Sequence, residues 1–525
     1  MGVKMTEKFK ITYSTLSADN PQMHKNYEDG IGTAKSWFGA DQPYYVNGEA
    51  RTSDRMEEER SPIDNDILIG RFSVASESDV DDAVRASRTT FDEWSATQWQ
   101  ERVEIMSRAA ELISDRIYEL SALVAIEVGK NRLEALGEVE EAADLIRYYC
   151  RQMRDNDGFA KPMEQLSETE KTKSVLRPYG VWGVISPFNF PIALSGGPAG
   201  GALVAGNTVV LKPSEQGYLI ALKLYEVFRD AGLPAGAFHV LIGPGETVGE
   251  ALATHPDVDG LTFTGSYEVG MKIYKNFARD YPKPAVCEMG GKNPAIVSDK
   301  ADIDLAADGV LRSAYGYTGQ KCSACSRVLV QSGVYDDFIT ALAEKTSKVA
   351  VGNPLEKDVY MGPVIDSEAV KRFENAVAEA RAAGRVLAGG ERITDGELAR
   401  GNFVQPTVVE VPRGSNVWRN ELFVPFVAVS KVDDLAEALK EANNTPYGLT
   451  AGFYSEDQGE VDFFLQKIES GVVYVNRRAG ATTGAWPGVQ PFGGWKGSGS
   501  SGKAGGGLYY VQLYMREQSQ TVVEG

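Results

Sequence analysis

The segment "GQKCSAC" places Cys322 and Cys325 three positions apart. A thiol pair at that spacing can form a redox disulfide, supply half of a zinc site, or hold one nucleophile beside a bystander. A structural zinc site needs four Cys or His ligands, often as two close pairs. The other cysteines, Cys150 and Cys287, are single and distant, and the histidines are only His24, His239 and His255. Thioredoxin-like pairs belong to small dedicated domains, whereas this one follows a long helical stretch in mid-chain. A single nucleophile remains. Cys322 is the better candidate, because "GYTGQK" before it is a flexible loop whose amides can face the sulfur's target. Cys325 is left to packing, the ordinary use of a lone cysteine.

A thioester formed on a cysteine must be hydrolysed, which needs a base to activate water. Glu288 in "CEMGGKNP" stands before a Gly-Gly turn that can bring its carboxylate to a substrate. Asn189 in "SPFNFP" follows a strand, and its amide can either donate to a developing oxyanion or hold a turn between prolines. Two stretches have the form of dinucleotide sites. In "FTGSYEVG", Gly265 and Ser266 open a helix where a pyrophosphate could sit, whereas "GPGETVG" has the wrong glycine spacing. In "LKPSE", Lys212 and Glu215 end a strand and could bond an adenosine ribose, the carboxylate disfavouring a 2′-phosphate.

The elements that must position these groups fall into two kinds. "YYVNGEART" (44–52) reads as a strand and turn, and Ser76 with Asp79 as a helix start. Val103, Met106, Leu112, Ile113, Ile117, Leu120 and Val124 form one apolar stripe, and "LEALGEVEEAADLIRYYCRQM" another. From 181 short apolar strands ("VWGVIS", "NTVVLKP", "FHVLI", "GLTFTG") alternate with helical stretches, which predicts a parallel, doubly wound sheet. A second α/β series runs from "NPAIVSD" (293–299) through "CSRVLVQ" and a charged helix at 367–383 to "GLTAGFYS" (448–455). The polar stretch 156–173 between helices and sheet is an arm or hairpin.

At 525 residues the chain can build two or three domains. A net charge of -19 argues against nucleic acid or an anionic membrane as partner, since a polyanion needs a basic patch. Residues 181–211 carry no charge, but Pro187, Pro191 and Pro198 and the many glycines would break a membrane helix. Four scattered cysteines and the lack of an apolar core in "MGVKMTEKFKITY" predict a cytoplasmic protein with free thiols. Gly2 with Thr6 matches a short myristoylation pattern of low specificity.

Taken in order, "SPFNFP", "LKPSE", "FTGS", "CEMGGKNP", "YGYTGQKC", "ELFVPF" and "QPFGGWKGSG" resemble the NAD(P)-dependent aldehyde dehydrogenase superfamily over nearly the whole chain. The resemblance implies an α/β fold with a Rossmann-type cofactor domain (30–155 and 179–289), a catalytic domain (290–490) and a β oligomerisation arm (156–178 and 505–525). It implies that Cys322 attacks an aldehyde, Asn189 and the Cys322 amide hold the oxyanion, and Glu288 activates the hydrolytic water. Lys212, Glu215, Gly265 and Ser266 would bind the adenosine half of the cofactor. Glu421, with Phe423 beside it, would hold the nicotinamide ribose. NAD is the expected cofactor and NADP the alternative; no metal is expected. Two departures stand out: Val424 where the family commonly has Gly, and Cys287 where it often has Leu.

"GQKCSACSR" is similar to the branch that oxidises L-glutamate γ-semialdehyde, the open form of 1-pyrroline-5-carboxylate. In that branch the serine after the nucleophile and a late Gly-Ala or Gly-Ser pair bind the α-carboxylate, which here implies Ser323, Gly484 and Ala485. Phe188 and Phe492 would wall the aliphatic part, and Trp486 could reshape the pocket. Aminoadipate or succinate semialdehyde are the alternative substrates. A CoA-acylating enzyme commonly lacks the glutamate retained here as Glu288, and a non-catalytic scaffold would have lost Cys322, Glu288 or Asn189. The family also implies a homo-oligomer, at least a dimer, with "GLYYVQLYMREQSQTVVEG" as a strand added to a partner's sheet.

Overall fold

The computed structural model describes residues 20–524. The myristoylation-like match at Gly2 and Thr6, the start "MGVKMTEKFKITY" and Gly525 lie outside the described residues.

Five parallel strands form the first sheet: β1 (Val181–Ile185), β2 (Thr208–Lys212), β3 (Phe238–Val240), β4 (Gly260–Thr264) and β5 (Ala285–Glu288). Their spatial order is β5-β4-β1-β2-β3, and the hairpin of Tyr44–Val46 and Glu49–Arg51 extends the β3 edge. The chain therefore winds one way from β1 to β3 and then returns to the other side of β1. That reversal opens a crevice at the carboxyl ends of β1 and β4, the usual ligand site of a doubly wound sheet.

The second sheet contains β6 (Asn293–Val297), β7 (Cys325–Gln331), β8 (Arg385–Ala388), β9 (Thr407–Glu410), β10 (Phe426–Val432), β11 (Thr450–Tyr454) and β12 (Val472–Val475), ordered β8-β9-β10-β7-β6-β11-β12. Only the β8–β9 pairing is antiparallel. The chain passes from β5 to β6 through four residues, Met289 to Lys292, so the carboxyl end of the first sheet meets the amino end of the second. Because Asn293 is in register with Cys325, the loop before β7 opens onto the same seam.

Helices cover the sheets. The expected start at Ser76 is a capping box with Asp79, opening α1 (Glu77–Ala96). The single apolar stripe expected from Val103 to Val124 is two helices, α2 (Trp99–Asp115) and α3 (Ile117–Val128), because the chain breaks at Arg116. Next come α4 (Arg132–Asp155), capped by Asn131, and the glycine-rich α5 (Ala193–Ala205). A Cβ at Gly200 would lie 2.6 Å from Ile146 on α4, so the glycines let the two helices approach closely. The uncharged 181–211 stretch is thus a buried strand, loop and helix, and no helix of the described residues is long and apolar enough to cross a membrane.

The polar stretch after α4 is an antiparallel hairpin, Ala160–Pro162 with Glu170–Pro178. The C-terminal segment differs from expectation. Only Met515–Val523 is a strand, and it pairs with Glu170–Pro178 of the same chain. The aromatic run before it is not extended. Tyr510, Val511 and Tyr514 are buried, and the Tyr514 ring meets Trp182 edge-on at 4.8 Å. Core packing overrides the apparent alternation there.

Candidate active site

The loop before β7 is strained where it presents the thiol. Tyr317 and Thr318 have φ of 45° and 56°, uncommon for side-chain-bearing residues, and Gly319 continues at 67°. Two bonds hold the strain: the Tyr317 hydroxyl donates to the Val128 carbonyl at 2.9 Å, and Thr318 Oγ1 to the Gly362 carbonyl at 3.1 Å. Downstream, Asn293 Nδ2 donates to the carbonyls of Cys322 (2.7 Å) and Ala324 (2.9 Å). Nothing in "CEMGGKNP" as a motif singles out Asn293 for this clamp. Cys322 lines a cavity of about 560 Å³, whereas Cys325 is buried in the core of the second sheet. The two thiols therefore face different surroundings.

Burial pushes the Cys322 thiol up to about 12, reinforced by the nearby Glu421 and Glu288 carboxylates; the amides of Ser323 and Cys322 itself pull the other way. Glu288 ends β5, and its Oε2 accepts from the Gly494 amide at 3.2 Å. Burial raises Glu288 to about 8, and the Gly494 bond opposes the shift only in part. Glu421 is raised to about 7 by burial, against the Gly291 amide and the Lys292 and Arg372 cations. It accepts from the Gly291 amide at 3.0 Å, which ties it to the turn carrying Glu288. Cys287, one of the departures, is fully buried with Sγ 3.8 Å from the Gly270 carbonyl, so it packs behind the sheet.

Asn189 is 3% exposed, and its Nδ2 donates to the Gln320 carbonyl at 3.0 Å, which joins the loop after β1 to the nucleophile loop. Under it lies an ion pair invisible to motif reading. Lys130, fully buried, donates to Glu138 at 2.5 Å and to the Asn189 carbonyl at 2.7 Å, with its Nζ 3.6 Å from the Phe190 ring centre. Glu138 in turn accepts from the Ile192 amide at 3.0 Å, near the start of α5. Burial lowers Lys130 and raises Glu138 from their ordinary values, each against its partner's pull. Lys130→Met should cost about 3–5 kcal/mol by stranding a buried carboxylate. In urea unfolding, Lys130→Met with Glu138→Gln should lose less than the two single losses added together; strict additivity would remove the coupling.

Of the expected cofactor residues, Lys212 and Glu215 lie at and just after the end of β2, Gly265 and Ser266 follow β4, and Glu421 and Phe423 precede β10. Lys212 at the end of β2 donates to Glu215 Oε1 at 3.0 Å, and the Gly245 amide donates to the same oxygen at 2.7 Å. The "GPGETVG" segment, set aside for its spacing, thus supports Glu215 from across the turn. Ser266 caps α6 (Tyr267–Phe277), accepting from the Val269 amide, and the Gly265 amide donates to the Glu288 carbonyl at 3.1 Å. Phe423, at φ 57°, meets Phe188 edge-on at 5.9 Å, and Val424 beside it is buried. At Glu215, a half-exposed carboxylate with one oxygen held, the geometry suits a ribose diol. A capped helix start at the switch point suits a diphosphate. The residues fit a dinucleotide.

The cavity brings Cys322, Ser323, Glu288, Gly484, Ala485 and Phe492 together. Phe188 is not among its lining residues: it turns to Phe423, and Phe190 forms that wall instead. Successive side chains around Asn189 point to different sides, and "SPFNFP" does not say which phenylalanine faces inward. The Ser323 carbonyl accepts from Thr482 Oγ1 at 2.7 Å, so the late loop is docked on the nucleophile loop. Gly484 has φ 115°, and a Cβ there would meet the Arg477 guanidinium at 2.3 Å; only glycine fits. Arg477 is itself tied to the Thr483 carbonyl. Among the described residues no cluster of three or more metal-ligating side chains occurs.

Fold and cavity define a class: doubly wound α/β proteins in which a thiol and a buried carboxylate share one cavity at the carboxyl end of the first sheet. The chain belongs to the aldehyde dehydrogenase family, whose model matches residues 49–520. It is 38% identical over 507 residues to the 1-pyrroline-5-carboxylate dehydrogenase of Geobacillus sp. (strain WCH70), covering 95% of this chain and 96% of that one. A point mutant of the Thermus thermophilus 1-pyrroline-5-carboxylate dehydrogenase superposes with TM-score 0.93 at 34% identity over all of both chains. The Thermus enzyme with bound NAD gives TM-score 0.92 at 34% identity, again over all of both chains.

Proposed function

We propose that this chain oxidises L-glutamate γ-semialdehyde, from 1-pyrroline-5-carboxylate, to L-glutamate with NAD. The observation that carries the reading is that Cys322, Glu288, Ser323 and the Gly484–Ala485 turn open into one cavity. A reacting carbon and a carboxylate anchor thus share one space. The 1-pyrroline-5-carboxylate dehydrogenases among the relatives support the same substrate.

Cys322, as thiolate, adds to the aldehyde carbon to give a thiohemiacetal. The alkoxide is held by the Cys322 amide and by the second N–H of Asn189, whose first goes to Gln320. Because the thiol is raised to about 12, its proton is released to solvent through the cavity before the sulfur attacks. Lys212 and Glu215 would hold the adenosine ribose, Gly265 and Ser266 the diphosphate, and Glu421 with Phe423 the nicotinamide end. NAD, when bound, would supply the hydride acceptor through which the thiohemiacetal carbon is oxidised to a thioester. Glu288 then takes a proton from water, the hydroxide adds to the thioester carbonyl, and the thiolate leaves. Aldehyde, water and NAD become carboxylate, NADH and protons.

The test is a panel of glutamate, aminoadipate and succinate semialdehydes with NAD and NADP. Glutamate semialdehyde with NAD should have the highest kcat/KM; a higher value for either alternative aldehyde would overturn the assignment. Ser323→Ala should lower kcat/KM for glutamate semialdehyde by about 10- to 100-fold, the loss of one hydrogen bond to a charged group. Propanal, without a carboxylate, should change less than about twofold on the same principle. Equal losses would count against carboxylate recognition.

The same reading extends to assembly and location. The 156–178 segment and the strand Met515–Val523 form an arm through which the chain makes at least a dimer in the cytoplasm. Among the described residues, the strand Met515–Val523 leaves one side unpaired, since Glu170–Pro178 occupies the other. An open strand edge is a ready template for another chain. A monomer by sedimentation would remove this part of the proposal.

A further inference from the structure

The cavity is longer than a five-carbon aldehyde needs. Its wall on α4 runs from Arg132 to Tyr149, about 25 Å at the helical rise. Near Arg132 it is bordered by Glu134, Lys321 and Lys357; near Tyr149 it is bordered by Leu145, Leu194 and Pro198. Backbone alone does not limit substrate length in so extended a space. A side chain has to.

Trp486 occupies the position that can do this. It comes directly after Gly484 and Ala485, lines the cavity, and is 7% exposed. Its indole Nε1 donates to Asp144 Oδ2 on α4 at 2.9 Å. Asp144 is itself fixed by Arg147, which donates to it at 3.0 Å and to Glu140 at 2.6 Å. The loop main chain is closed as well: the Trp486 carbonyl accepts from the Val489 and Gln490 amides at 3.0 Å. The Gly488 amide donates to the Gly506 carbonyl at 2.9 Å, and a Cβ at Gly488 would meet the Tyr148 ring at 2.7 Å. The loop is pressed between α4 and the 505–510 segment, so the indole is a rigid wall and not a swinging lid.

We propose that Trp486 is the specificity-determining residue for chain length, its indole clamped by Asp144 behind the Gly484–Ala485 turn. This deepens the proposed function and rests on that turn as the carboxylate anchor. An aldehyde one methylene longer moves its carboxylate toward the indole. Steric exclusion of one methylene is worth about 10- to 200-fold in kcat/KM.

The experiment compares wild type with Trp486→Val and Trp486→Phe, full length with saturating NAD, on glutamate and aminoadipate semialdehydes and on the alkanals from pentanal to octanal. Trp486→Val should raise the aminoadipate-to-glutamate semialdehyde ratio of kcat/KM by at least about tenfold, through a lower KM for the longer substrate. Trp486→Phe, which keeps most of the bulk, should move it less than about threefold on the same basis. If Trp486→Val does not fold, Trp486→Leu is held to the same ratio. An unchanged ratio in the folded variant overturns the inference. Failure of the anchor reading looks different: wild type would then oxidise glutamate semialdehyde no better than pentanal. The alkanal length limit still decides the wall in that case: it supports the wall if it lengthens in Trp486→Val and overturns it if it stays.

Discussion

Cys322→Ala is expected to lose turnover by at least about 10⁴-fold while still binding NAD, because no other group can form the thiohemiacetal. The geometry makes this a test of one sulfur. Cys322 opens into the cavity beside Ser323 and Glu288, whereas Cys325 is 1% exposed with its Sγ 3.6 Å from the Arg327 carbonyl. Cys325→Ala removes a small buried group and should keep activity within about tenfold, with a modest loss of stability. NADH absorbance reads turnover, and titration calorimetry reads cofactor binding. Normal turnover in Cys322→Ala would end the covalent mechanism. An equally dead Cys325→Ala would restore the paired-cysteine reading.

Glu288→Gln should release one NADH per active site and then stall as the acyl-enzyme. Its steady rate should fall by about 10²- to 10⁴-fold, the usual worth of a general base. The glutamine retains the size of the side chain, and its carbonyl oxygen can still accept from the Gly494 amide that now donates to Glu288 at 3.2 Å. Mass spectrometry of the stalled protein should find the acyl adduct on Cys322. Unaltered steady turnover would remove the base role. The wild-type pH profile is set by the same residue. Burial raises Glu288 to about 8, so the carboxylate, the form that accepts a proton, predominates only above that pH. Deacylation should therefore rise about tenfold per unit up to about pH 8 and then level. A rate flat from pH 6 to 9 would assign the base elsewhere.

Legibility varied with how local the physics was. Strands from "VWGVIS" to "GLTFTG" were readable because short apolar runs between helical stretches have few other solutions. Ser76 and Ser266 cap helices where their side chains reach their own backbone, which is again local. Lys130 and Glu138 were not readable. A lysine in "VGKN" looks solvent-bound until α5 and the Asn189 loop are folded over it. The alternation in "GLYYVQLYMREQ" misled for a related reason: Tyr510 and Tyr514 belong to the core, and only burial distinguishes a core turn from a strand.

The sequence by itself determined the α/β class, the family and the ordered set of chemical groups, because these rest on residue types at fixed spacings along one chain. Cys322 could be separated from Cys325 on the same ground, since one ends a flexible loop and the other enters a strand. Tertiary structure decided which side chains share a space. It turned Phe190 and not Phe188 into the cavity, tied Glu215 to a loop that spacing had set aside, and placed Trp486 against Asp144 across 342 residues. It also set the proton affinities of Glu288 and Cys322, which depend on the solvent that neighbouring elements exclude. Burial and orientation are properties of the packed chain, and no local pattern encodes them.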